Sequence, residues 1–204
     1  MQKVPVSVYA EMTPNPAVLK FVANKRLIEQ DSVEFKNIEE AKPSPLAMKL
    51  FHFPFVKEVF ISGNYIAISK YDIVEWDDVT LEIRELIRDY VTEGNPVLTR
   101  PVVAETVDVE SNNTTSAETE VYPEPSGPLD EKIISLLDEY VKPAVTSDGG
   151  NIKYLNYDDG TVKVLLQGAC SGCPSSTATL KQGIENLLKQ MLPGQIKEVV
   201  AVNG

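Results

Sequence analysis

Two runs, Val145-Thr-Ser-Asp-Gly-Gly150 and Gly168-Ala-Cys-Ser-Gly-Cys-Pro-Ser-Ser176, organise the C-terminal third of this 204-residue chain. Asp148-Gly-Gly150 is a turn signal. Between the runs, Ile152–Tyr157 and Thr161–Leu166 are rich in apolar and β-branched residues and read as strands. Asp158-Asp-Gly160 joins them as a hairpin. Ahead of the first run, the spacing predicts a helix over Leu129–Val145, with Ile133, Leu136, Leu137, Tyr140 and Val141 on its apolar face. Pro143 is expected to kink it or end it early. Beyond the second run, Ser175–Met191 reads as a helix with Leu180, Ile184, Leu187, Leu188 and Met191 facing a core. Pro193-Gly194 stops it, and Ile196–Val202 is a final strand. The order is α-β-β-α-β.

The N-terminal half has a different rhythm. Val4, Val6 and Val8 alternate, predicting a strand over Lys3–Ala10. Thr13-Pro-Asn-Pro16 is non-helical, because each proline restricts itself and the residue before it. Leu19–Val22 and Ser32–Phe35 read as extended. Ser44-Pro45 opens a helix through about Phe51, a capping residue followed by proline at the first helical position. Val56–Ser62 and Tyr65–Tyr71 form a hairpin about Gly63-Asn64. Val79–Val91 is a helix with Ile83, Leu86, Ile87 and Tyr90 on one face. The reading is an α+β protein. It has two small α/β-sandwich-type domains, residues 1–100 and 129–204, joined by a flexible acidic linker over 101–128.

The linker is legible in its composition. The net charge of the chain is −11, and Pro101–Pro128 holds six acidic residues and no Lys or Arg. Its few apolar residues have no period, so it cannot bury enough surface to order itself. An acidic chain without a basic stripe is a poor ligand for nucleic acid or for an anionic membrane surface. No run approaches the roughly 18 apolar residues of a membrane span. Residues 1–8 lack the pattern of a secretory or transit segment, so the expected location is cytoplasmic.

The chemistry points to Cys170 and Cys173, the only cysteines in the chain. They lie between a strand and a helix start, where unpaired backbone N–H groups favour a thiolate. Thiolate is the form that ligates iron or zinc. Structural zinc and a cubic four-iron cluster each take four protein ligands. One chain offers two thiols, and its one histidine, His52, lies in the other half. Two chains meeting at their loops would supply four. Three readings stay open on spacing alone: a metal or cluster bridged between chains, a dithiol–disulfide oxidoreductase, and a structural pair such as a zinc-bridged dimer. Against the oxidoreductase, the order α-β-β-α-β lacks the early β-α-β unit of a thioredoxin-type site.

Other residues take plainer readings. His52, between Phe51 and Phe53, reads as a packed or surface histidine. Trp76 reads as helix-start packing. Asp158 and Asp159 read as turn formers, and Asp148 as either a turn former or a neighbour that shapes the cysteine loop. Thr13-Pro-Asn-Pro16 reads first as structural and second as a client-docking loop. No Ser/His/Asp set, phosphate-cradling glycine loop or framed carboxylate pair is present, and no enzyme activity is expected.

Through the Asp-Gly-Gly turn, the hairpin and the run Gly168-Ala-Cys-Ser-Gly-Cys-Pro-Ser-Ser-Thr-Ala-Thr-Leu180, the C-terminal part closely resembles the NifU-like domain of Nfu proteins. Thr13-Pro-Asn-Pro16 with Lys20-Phe21, Ser44-Pro-Leu46 and the hairpin Val56–Tyr71 resemble the Nfu N-terminal domain. The resemblance implies an iron–sulfur cluster scaffold or carrier. It implies a 4Fe-4S cluster, with 2Fe-2S as the smaller alternative, bridged between two protomers by Cys170 and Cys173. It further implies a homodimer when loaded, an upstream cluster-assembly donor, and apo iron–sulfur proteins as clients.

Overall fold

The computed structural model describes residues 5–29, 32–99, 127–171 and 174–203. The N-terminal part is one five-stranded antiparallel sheet with helices on one face. Its strands are β1 (Val8–Met12), β2 (Val18–Ala23), β3 (Ser32–Phe35), β4 (Val56–Ser62) and β5 (Tyr65–Lys70), in the order β1-β2-β5-β4-β3. Period-two alternation sends Leu19, Phe21, Val33, Phe35, Val59, Ile61, Ile66 and Ile68 to the helix side. There they meet α1 (Pro45–Leu50) and α2 (Trp76–Thr92) in one core. The first strand lies further along than Lys3–Ala10. Pairing decides it: Val8 faces Ala23 and Met12 faces Leu19, a register set where the Thr13–Pro16 turn reverses the chain. Residues 1–4 lie outside the described residues.

Local chemistry fixes the other boundaries. Ser44 Oγ accepts the Ala47 N–H at 3.1 Å and donates to the Val97 carbonyl at 2.7 Å. Gly63, at φ +50°, makes the β4–β5 turn. Helix α2 starts three residues before Val79, because Trp76 is drawn in. Its Nε1–H donates to the Pro16 carbonyl at 3.0 Å, tying the helix start to the Thr13–Pro16 loop.

The C-terminal part runs α3 (Pro128–Leu136), a π-helical turn over Leu137–Val141, α4 (Lys142–Ser147), β6 (Gly150–Asp158), β7 (Thr161–Gly168), α5 (Pro174–Met191) and β8 (Glu198–Asn203). The sheet order is β6-β7-β8; β6–β7 is antiparallel and β7–β8 parallel. Pro143 neither ends nor sharply breaks the helix. The wider turn before it absorbs the missing N–H and the ring's clash with the preceding carbonyl, with the Lys142 N–H reaching the Leu137 carbonyl. The extra residue rotates the face. Ile133, Leu137, Val141 and Val145 are buried, while Tyr140 is 50% exposed. Likewise Leu192 is buried and Met191 is 45% exposed. The expected linker, 101–128, falls outside the described residues except for Gly127 and Pro128, where α3 begins. Among the described residues no helix is long and apolar enough to cross a membrane.

Candidate functional site

The cysteine loop is assembled on glycines. Helix α4 closes at Asp148, whose N–H donates to the Ala144 carbonyl, and Gly149 turns the chain at φ +82° into β6. The Ala169 N–H donates to the Gly149 carbonyl at 3.2 Å, so the loop is stitched to the Asp-Gly-Gly turn. Gly168 has φ +67°, and a Cβ there would stand 2.7 Å from the Gly149 carbonyl oxygen and 2.9 Å from the Phe60 ring. A Cβ on Gly150 would stand 2.7 Å from Cys170 Sγ. The sulfur therefore rests over the bare backbone of Gly150. At the other end, Thr177 Oγ1 donates to the Cys170 carbonyl at 3.0 Å, tying the loop to α5.

Cys170 is 7% exposed and its sulfur faces inward. Burial, and secondarily the Asp148 carboxylate, push its thiol up to about 11. At neutral pH it is protonated, whereas its position before α5 predicts a thiolate. Desolvation is the larger cause, because burial removes nearly all the water that would stabilise the charged form. Cys173 and Gly172 lie outside the described residues, as do the side chains of 174–176. Among the described residues no cluster of three His, Cys, Asp or Glu side chains is disposed to hold a metal. His52 is exposed, with Nδ1 2.7 Å from the Met48 carbonyl, in the N-terminal part. Asp159 faces Lys197 at 2.7 Å across the hairpin end and is a turn residue at φ 41°. Among the described residues the thiol donor is Cys170, free and buried.

The feature that sequence reasoning missed is what covers this loop. The sheet face of the N-terminal part that carries no helices packs on it. Val18, Val22, Phe60, Tyr65 and Ala67 from that face form a buried cluster with Ala169. Polar groups surround the cluster. The Gly168 N–H donates to Glu34 Oε1 at 2.8 Å. Tyr65 OH donates to the Gly150 carbonyl at 2.8 Å. Lys20 Nζ donates to the Ser147 carbonyl at 3.1 Å, pairs with Glu11 at 3.1 Å and lies 4.8 Å above the Tyr65 ring. Asn151 Nδ2 donates to Ser32 Oγ at 2.9 Å, and Ser32 Oγ is 3.3 Å from Gln167 Oε1. Burial raises the Glu34 carboxyl above its ordinary value despite the Gly168 bond that lowers it. One sequence signal was available: Val18-Leu-Lys-Phe-Val-Ala23 is apolar at five of six positions rather than alternating, as in a strand covered on both faces, and all six residues are buried.

Comparison with known proteins bears on both parts. A family model described as scaffold protein Nfu/NifU N terminal matches residues 8–94, and the NifU-like domain model matches 133–200. The chain is similar to the mitochondrial NifU-like protein 4 of Arabidopsis thaliana, 36% identical over 183 residues, 89% of this chain and 61% of that protein. It is similar to the mitochondrial NFU1 iron-sulfur cluster scaffold homolog of Drosophila willistoni, 34% identical over 197 residues, 95% of this chain and 63% of that protein. A solution structure of a NifU-like protein from Saccharomyces cerevisiae matches with a TM-score of 0.44 and 25% identity, over 49% of this chain and 91% of that one. The chain thus spans somewhat over 60% of the length of these curated relatives. Their names correct the expected location. The relatives are mitochondrial proteins, which points to the mitochondrion rather than the cytoplasm. The expectation rested on residues 1–8 lacking a targeting pattern, and such an absence does not decide location.

Proposed function

The chain belongs to the Nfu/NifU family, with a match to each of its two halves, and from that premise we propose that it is an iron–sulfur cluster scaffold or carrier rather than an enzyme. The cluster is its cargo, a 4Fe-4S unit held between two protomers by Cys170 and Cys173 of each and passed on to apo iron–sulfur proteins. An upstream assembly donor supplies it. The observation that carries the reading is the donor count. A glycine-flanked loop with two cysteines holds every thiol of the chain, and four thiolates require a second copy.

The chain's own residues then have defined tasks. Cys170 must lose its proton and turn outward, since a protonated thiol lying over Gly150 is not a ligand. Loading therefore releases protons. Gly168 and Gly150 permit the loop to pack this closely because neither carries a Cβ against it.

Anaerobic reconstitution tests the reading, with iron, sulfide and protein quantified beside oligomeric state. The expected result is matched iron and sulfide with two chains per cluster, and none in a folded Cys170→Ser variant. Zinc without sulfide supports the zinc-bridged dimer instead. Turnover of a disulfide substrate by iron-free protein supports the oxidoreductase.

A further inference from the structure

The sheet face that grips the cysteine loop has no role in the reading above. A two-layer α/β unit ordinarily leaves such a face to water. Here it is built for an occupant, and the occupant is seated. Its apolar centre, Val18, Val22, Phe60, Tyr65 and Ala67, closes on Ala169. Its polar rim is matched to backbone groups that flank Cys170. Glu34 takes the Gly168 N–H, Tyr65 gives to the Gly150 carbonyl, and Lys20 gives to the Ser147 carbonyl. These three bonds reach the backbone of the loop and of the turn beneath the sulfur. The ring of Phe60 stands against Gly168 so closely that no side chain fits there.

Presenting the sulfur outward is a backbone movement of Gly168–Ser171, because Cys170 is buried in the core of the C-terminal part with its Sγ against Gly150. That movement cannot occur while Glu34 and Phe60 hold Gly168 and Ala169 is packed in the seam. We propose that the outer face of the N-terminal sheet is an intramolecular clamp on the cysteine loop, holding Cys170 inward until the face lets go. Its binding partner is a glycine-flanked cysteine loop, here the chain's own. A metal or a second chain reaches the sulfur only in the released form. The relevance to cluster loading rests on the function proposed above; the clamp itself does not.

The test is native-state alkylation of Cys170 in the full chain, followed by peptide mass spectrometry. Tyr65→Phe and Lys20→Met each remove one clamp hydrogen bond while keeping the apolar bulk, and the two are combined. Alkylation of a buried thiol reports the opening equilibrium. The combined variant should react faster by about tenfold or more, as the loss of one neutral and one charge-assisted bond implies. Circular dichroism should be unchanged, and wild-type protection should not vary with protein concentration. An unchanged alkylation rate in the folded variant overturns the clamp. Protection that vanishes on dilution also overturns it, since the contact would then lie between copies. Iron uptake is read separately. A variant that alkylates faster yet takes up no iron and sulfide leaves the clamp standing and removes the scaffold reading.

Discussion

At the scale of single residues, two glycines of the C-terminal part illustrate opposite demands. Gly150 lies against Cys170 Sγ and the Gln167 carbonyl, which a Cβ would approach to 2.7 and 2.8 Å. Gly183 sits in α5 with nothing within 4 Å of a Cβ. Gly150→Ala should therefore destabilise by about 1–3 kcal/mol through overpacking. Gly183→Ala should stabilise by about 0.5–1 kcal/mol by restricting the unfolded chain. Urea unfolding of the two variants checks both signs. Glu34 supplies the pH dependence. Its folded carboxyl is raised, so the folded state holds the proton through the window between the ordinary carboxylate value and the raised one. Stability from this group is full below that window and falls as pH rises through it. Glu34→Gln stays neutral and can still accept the Gly168 N–H. Urea midpoints measured from the acid range to neutrality should slope less for Glu34→Gln than for wild type.

At the scale of elements, most strands and helices were visible in local chemistry, and the exceptions have identifiable causes. Ser32–Phe35 and Val56–Ser62 appear as read, because alternation and a φ-positive glycine leave little choice. The face of the α3–α4 helix was misjudged at Tyr140, since a uniform 3.6-residue period cannot anticipate a π turn before Pro143. The short helix α1 depends on its cap. Ser44 is fully buried and bonds both Ala47 and Val97, so it joins the helix start to the segment after α2. Ser44→Ala should cost about 1–3 kcal/mol, because it strands a buried carbonyl as well as an N–H. Thermal unfolding should show the loss, and Ser44→Thr should recover part of it.

At the scale of the whole molecule, the seam between the two sheets is what the sequence reading left open. The two parts were read as bodies on a tether; in the structure they share a buried cluster and a ring of hydrogen bonds. Each such bond contributes about 1 kcal/mol net, and those from a charged donor up to about 3. Calorimetry of the wild-type chain should accordingly show one cooperative transition. The combined Tyr65→Phe and Lys20→Met variant should show two, as the parts melt separately.

The division between sequence and tertiary structure follows from range. Capping residues, prolines, turn glycines and side-chain period act within a few positions, so the chain alone determined most of its elements and placed Cys170 on a loop before a helix. The number of thiols likewise determined that one copy cannot complete a four-thiolate site. What covers that loop depends on residues more than a hundred positions away. Glu34 and Lys20 meet Gly168 and Ser147 only because one sheet folds its polar and apolar outer face onto another. The state of Cys170 was decided by packing too, in the core of the C-terminal part. Position along the helix favours the thiolate, but burial, which only packing creates, keeps the proton on.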